Sequence, residues 1–406
     1  MKSKNLYAVT LAIALALAPF SVAQDGRPLF ENDDLSGWEQ KVGEWTFENG
    51  VLTGKGDTNK GAILVGPGEY NDFELQFKYR MEAWGSGGVG FRLHVQGDNL
   101  HGYMMDIAPF VANRESPMAQ NIPGLGAIHR LKGDGIGPQD RETRISNDAA
   151  EAGLGPAVQE WHSATIRAVS GNQEVSVNGE TMAKGVDDEF LAGRFGFGIQ
   201  LGIQTPLQFK DIQIRELPSE EGYLSLFNGE DLSGWKIHGQ DKQWKVEDGI
   251  ILSESIDGAY SYLATDKEYK NFSILAEFQG LANGNSGLFF HSHLDGTAIS
   301  GIQAEVQPPT EERLGHSGCL YDAAGRGWIV DPETLTAEQE GAFRLNEWNT
   351  IRVDVKDHRI KTWLNGLRIV DFQDEAPAHP SGVIALQIHS GGGVKVNWRN
   401  IRIKEL

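Results

Sequence analysis

Three short stretches in the second half of the chain carry side chains able to exchange protons and to hydrogen-bond a polyol. LFFHSHL (288–294) places His291 and His293 two residues apart. GIQAEVQPP (301–309) does the same with Gln303, Glu305 and Gln307, and VIALQIHS (383–390) with Gln387 and His389. In a β-strand, residues two apart point to one side. These polar sets then share a face, opposite Leu288 and Phe290, Ile302, Ala304 and Val306, and Ile384, Leu386 and Ile388. A solvated sheet face ordinarily carries Lys, Thr, Glu and Arg. Imidazoles, amides and one carboxylate gathered together suit a neutral, hydroxyl-rich ligand and proton transfer to or from it.

Two other chemistries use the same residue types. His291-x-His293 opens a metal site, with Glu305 or His389 as third ligand. No fourth ligand stands out, so a divalent metal stays open while no organic cofactor is expected. GSGGVG (85–90) fits a dinucleotide fingerprint by spacing, but it runs into the strand-like FRLHV rather than a helix, which excludes that use. No nucleophile elbow supports a Ser-His-Asp arrangement.

The elements that must position these groups occur twice. LFENDDLSGW (29–38) returns as LFNGEDLSGW (226–235), and WTFENGVLTG (45–54) as WKVEDGIILS (244–253). EYNDFELQFKYR (69–80) returns as EYKNFSILAEFQ (268–279), and FKDIQIREL (209–217) as WRNIRIKEL (398–406). A period of about 190 residues is too long for a solenoid and describes two tandem domains, 24–218 and 222–406, joined at PSEEG (218–222). Within each, alternating segments separated by Gly, Asn and Asp turns predict an all-β fold, two concanavalin A-like jelly-roll β-sandwiches. A short helix is expected from Thr336 to Phe343, with Thr336 and Gln339 as a capping box. Long Gly- and acid-rich loops fall at about 109–158 and 308–346. The paired tryptophans (Trp38 and Trp235, Trp45 and Trp244, Trp161 and Trp348) read as repeated core packing. Trp84 and Trp328 lack partners and are better placed to touch a ligand.

Lys2 and Lys4, an apolar run to Phe20 and then Ser21-Val22-Ala23 read as a secretory leader over residues 1–23. Its removal takes the formal charge from −20 to −22 and leaves no stable membrane span. A periplasmic or secreted bacterial protein is expected. Cys319 is the single cysteine, so buried cores rather than disulfides must hold the fold. With this acidity and no basic cluster, nucleic acid is excluded as a partner, whereas a neutral carbohydrate is not. Oligomeric state is not written in the sequence.

The motifs LFNGEDLSGW, WKVEDG, NGNSGLFF, GIQAEV, SGCLYDAAGRGW, EWNTIRV, WLNG and WRNIRIKEL stand in this order over residues 224–406. Together they resemble the 3-keto-disaccharide hydrolase-like domain family, exported bacterial proteins with a concanavalin-like jelly roll. The first copy matches at both ends and weakly in its middle. The resemblance implies action on glycosides already oxidised to a ketone at C3. Such a ketone acidifies the C2 hydrogen, so cleavage can proceed by hydrolysis or by abstraction and elimination. By the same resemblance Glu305 and His389 act as base and acid in an order left open, while Arg326 and His291 stabilise the enolate. Asn285, Gln303, Tyr321 and Trp328 hold the sugar, with Asp322, His293 and Gln387 as further substrate contacts. Arg92, Tyr103 and Asp106 are the first copy's counterparts, and a helper role is expected there. A non-catalytic pair of carbohydrate-binding modules is the alternative reading. An endoglycanase of this fold would want Glu-x-Asp-x-x-Glu, which does not occur.

Overall fold

The computed structural model describes residues 26–30, 34–57, 61–83, 85–97, 99–107, 125–133, 141–145, 158–200, 205–217, 222–310 and 315–406. The leader, Trp84, most of the 109–158 loop and the start of the inter-domain join lie outside them.

Alternation builds the strands. Phe73–Met81 turns Phe73, Leu75, Phe77, Tyr79 and Met81 inward, and its repeat Phe272–Gly280 does so with Phe272, Ile274, Ala276 and Phe278. Among the described residues the strands form four antiparallel sheets, one of eight and one of seven strands in each copy. The two sheets of a copy pack face to face over an apolar core. The seven-stranded sheet of the second copy runs, in spatial order, Trp235–His238, Ser261–Tyr269, Gly382–Ile388, Ser286–Asp295, Ala298–Val306, Leu320–Asp322 and Gly327–Trp328. It therefore contains all three polar stretches read from the sequence. The expected helix is shorter than its sequence suggests, Ala337–Glu340, with the Thr336–Gln339 capping box formed and Gly341 ending it.

The copies meet along the hairpin that joins Arg359–Leu364 to Leu367–Gln373. Leu191 N–H donates to Gly366 O at 2.7 Å and Arg368 N–H to Glu189 O at 2.9 Å. Gly366 allows this approach, since a Cβ there would lie 2.4 Å from Ala192 N. Asp188 is the hub. Its carbonyl accepts from Trp363 Nε1 at 2.6 Å, and its carboxylate holds Arg368 Nη1 at 2.7 Å together with Lys361 Nζ. Arg344 Nη1 of the second copy also reaches Glu69 of the first at 3.0 Å.

The tryptophan pairs divide in two. Trp45, Trp235 and Trp244 are buried, and Trp38 stacks on Phe30 at 4.2 Å. Trp161 lies instead under Lys210 and Arg80, and Trp348 under Arg399 at 3.9 Å. The first two pairs are core; the third is a cation–π contact on the outer side of the larger sheets.

Because Asp188 gathers two cations from the other copy, Asp188→Ala should destabilise the protein by about 1–3 kcal/mol in urea unfolding. A change under about 0.5 kcal/mol would show that the hub does not hold the copies together.

Candidate active site

On the polar face of the second copy's smaller sheet, cross-strand register sets the residues in rows. One row runs Tyr262, Gln387, Gly287, Glu305. The next runs Ala264, Ala385, Phe289, Gln303, Tyr321, Trp328. A third lies just beyond the strand ends, where His389 N–H donates to Asn285 O at 3.4 Å and the Tyr260 hydroxyl meets His389 Nε2 at 3.0 Å. Glu305, Gln303, Gln387, Asn285 and His389 are therefore brought together on one face.

Their polar atoms are tied to each other. Asn285 Nδ2 donates to Glu305 Oε2 at 2.7 Å and to Gln307 Oε1 at 3.1 Å. Gln303 Nε2 donates to Gln387 Oε1 at 3.1 Å and to Ser286 O at 3.2 Å. Gln303, Gln387 and Glu305 are each at most 4% exposed. Burial pushes the Tyr262 hydroxyl up to about 12, against the opposing pull of a hydrogen bond with Gln387. At the rim, Trp328 is exposed and meets Tyr321 edge-on at 5.3 Å, offering an aromatic plane to a ligand.

The protonation of His389 follows from its neighbours. Nδ1 lies 2.8 Å from the carbonyl oxygen of Ser390, which can only accept, so Nδ1 carries the proton. In neutral His389 the other nitrogen, Nε2, is then an acceptor, and the Tyr260 hydroxyl is its donor. The imidazole is enclosed between two protein partners, and the phenolic oxygen of Tyr260 is what it presents. Tyr260 and Tyr262, with rings stacked 6.1 Å apart, were not among the candidates from sequence. Their two-residue spacing in AYSYL was the available signal.

Several expected site residues lie elsewhere. A β-bulge at His291, with φ of 48°, breaks the alternation, and Arg92 does the same at φ 50° in the first copy. The His291 ring turns to Lys270 O at 2.8 Å and packs edge-on against Phe272. Burial lowers its pKa below the ordinary imidazole value. His293, beyond the bulge, pairs with Ser300 and packs beside His379 at 4.5 Å. Neither imidazole shares the Glu305 face. Asp322 is adjacent to Tyr321 and so points to the opposite side, where it is buried. Arg326 follows it there, binding Asp322 and spanning Asp374 with Nη1 at 2.9 Å and Nη2 at 2.8 Å. That triad clamps the sheet edge to the end of Leu367–Gln373 and does not stabilise charge on the polar face. Among the described residues no three His, Cys, Asp or Glu side chains converge as metal ligands would.

The first copy differs at the same register. Arg92 is fully buried and spends its guanidinium on the carbonyls of Asn71, Ser170 and Phe190 and on Asp72. Tyr103 sits in the core and donates to Asp187 Oδ1 at 2.5 Å. Neither contacts a ligand surface. Asp106 does occupy the place of Glu305, across from Gly88, and lies 3.3 Å from His129 Nε2. Around it Ile63, Val65, Leu93, Leu100, Met104 and Leu131 form an apolar cluster. Where the second copy has His389 and Asn285, the first has Gln200 and Ser86, again joined backbone to backbone at 2.9 Å. Gly61 stands opposite Gln200 where Tyr260 stands opposite His389.

A Cβ on Gly287 would lie 2.3 Å from Gln303 Nε2, so Gly287→Ala must push the bridging amide aside. The expected cost is about 1–3 kcal/mol by urea unfolding. A variant as stable as the parent would show that the bridge contributes nothing.

The chain is similar to several known proteins. A 3-keto-disaccharide hydrolase of Bacteroides thetaiotaomicron is 28% identical over 290 residues, covering 57% of this chain and 94% of that protein. A Parabacteroides distasonis protein provisionally described as a glycosyl hydrolase, solved by crystallography, is 26% identical at a TM-score of 0.36. It covers 46% of this chain and 94% of its own. The carbohydrate-binding module CBM66 of Bacillus subtilis shares 13% identity at a TM-score of 0.34, over 44% of this chain and 95% of that one. The sequence profile of the 3-keto-alpha-glucoside-1,2-lyase-like domain matches residues 25–215 and again 222–404. The chain belongs to the 3-keto-alpha-glucoside-1,2-lyase-like domain family and carries that domain twice in tandem.

Proposed function

We propose that the second copy cleaves 3-keto-glycosides by removing the C2 proton and expelling the C1 substituent, and that it does so outside the cytoplasm, as its leader-like N-terminus suggests. One observation carries the reading. The Tyr260–His389 pair and the Asn285-held Glu305 stand on the same face, on either side of strand Ser286–Asp295. Two strand spacings, about 10 Å, separate the strands next to His389 and Glu305, and three, about 14 Å, those of Tyr260 and Glu305. The Gln303–Gln387 amide bridge, which passes over Gly287 between them, gives a floor on which a sugar ring can lie.

The chemistry follows from these partners. A ketone at C3 makes the C2 hydrogen acidic. The Tyr260 oxygen accepts that proton as its own passes to His389 Nε2, giving an imidazolium that Ser390 O continues to hold through Nδ1. The enolate electrons close the C1–C2 double bond and break the C1–O bond. Glu305, oriented by the Asn285 amide, gives its proton to the departing oxygen. The product at this point is a 2-hydroxy-enone. Water then adds at C1, Glu305 takes the water's proton, and the His389–Tyr260 pair returns a proton to C2. Both groups end as they began, and the net result is hydrolysis. Release before water adds would make the enzyme a lyase.

The first copy lacks counterparts of Tyr260 and His389 in its register, so it serves as the partner domain and not as a second catalyst. Product analysis by NMR tests the assignment. A 3-keto-disaccharide should be cleaved while the unoxidised disaccharide is untouched; cleavage of neither by well-folded protein would leave a binding module. Tyr260→Phe and Glu305→Gln should each lower kcat by about 100- to 10,000-fold with little change in Tm. A variant with parental kcat would remove its residue from the proton path.

A further inference from the structure

Away from the polar face, a cavity of about 240 Å³, open on one side, lies between the two copies. That is room enough for one sugar ring. Glu69, His94 and Arg194 wall it from the first copy; Glu338, Gly341 and Arg344 wall it from the second.

Its charges are already matched. Glu69 and Arg344 neutralise each other across the cavity. Arg194 gives Nε to Gly66 O at 2.6 Å and has Glu39 3.7 Å from Nη1. His94 gives its Nε2 proton to Ala192 O at 2.9 Å, and burial takes its pKa down to about 4, so it is neutral. A phosphate or carboxylate ligand would find no spare cation here.

Glu338 is the group left over. Its helix is fixed by the capping box and by Gln339 Nε2, which donates to the carbonyls of Arg368 at 2.9 Å and Ile369 at 3.2 Å. Glu338 Oε2 meets His101 Nδ1 of the first copy at 3.2 Å. Oε1 is buried with no hydrogen-bond partner among the described residues, a costly state that turning the carboxyl toward a ligand in the cavity would relieve. Burial raises this carboxyl to about 7; Glu189 acts in the same sense and Arg130 against it. His101 opposite is depressed by its own burial and by Arg130. Near neutrality Glu338 can therefore both give and take a hydrogen bond, as a sugar hydroxyl does.

We propose that this inter-copy cavity binds a neutral polyhydroxylated molecule of one-sugar size, held by Glu338. The site is separate from the polar face and does not require that face to be catalytic. The test is isothermal titration of the full chain with D-glucose and with methyl β-D-glucoside as probes. Gly341 is exposed with φ of −79°, which admits any side chain, so Gly341→Trp fills the cavity without backbone strain. At least one probe should bind the parent protein and Glu305→Gln equally. Gly341→Trp should abolish that binding, and Glu338→Leu should weaken it at least tenfold. From pH 6 to 8 the parent's affinity should fall as Glu338 loses its proton, while Glu338→Gln stays flat. Failure of both probes to bind the parent would overturn the site. So would binding that survives Gly341→Trp and is lost in Glu305→Gln. An affinity independent of pH in the parent would overturn the role of Glu338.

Discussion

The amide of Gln303 crosses a strand that has no side chain in its way. It reaches from its own strand over Gly287 to Gln387 on the far side, with both amides buried. A buried amide left unpaired is costly, so this bridge fixes two side chains at once. It also fixes what surrounds it. Gln387 approaches Tyr262 on one flank, while Tyr321 lies across from Gln303 on the other. Glu305 and His389 extend from the same two strands, two residues further along. The polar face is thus a rigid lattice whose spacing is that of the sheet itself, and preorganised groups of this kind need not be rearranged during reaction.

Much of that lattice was legible because strand periodicity is strict. Gln303, Glu305 and Gln387 hold to it, and His389 extends it. His291 and His293 do not, since one bulge residue at positive φ changes which way everything beyond it points, and nothing in FFHSHL announces the bulge. Asp322 and Arg326 were placed with Tyr321 by motif resemblance. Alternation alone separates Tyr321 from Asp322, and the structure follows the alternation. Tyr260 was hidden for the opposite reason. It lies just outside strand Ser261–Tyr269, after a glycine-containing turn, and its significance depends on a histidine 129 residues away.

Tandem duplication has been used asymmetrically. Both copies keep the same bulge, braced by Arg92 in one and His291 in the other, and both keep the Asn-Gly hairpin turn at positive φ. What differs is the face. Apolar side chains cluster around Asp106 in the first copy, whereas amides, tyrosines and a histidine line the second. The hairpin carrying that turn in the second copy has become the joint to the first, with Asp188 as its anchor. Shared scaffold and divergent face agree with one catalytic domain supported by another.

On the proposed mechanism cleavage begins with removal of the C2 proton. It is tested most directly by running the reaction in deuterium oxide and following C2 of the released keto sugar by NMR. Deuterium should enter C2 from the first turnovers, faster than by exchange in the protein-free keto sugar. A product that keeps its C2 hydrogen and forms with no 2-hydroxy-enone before it would contradict removal of that proton.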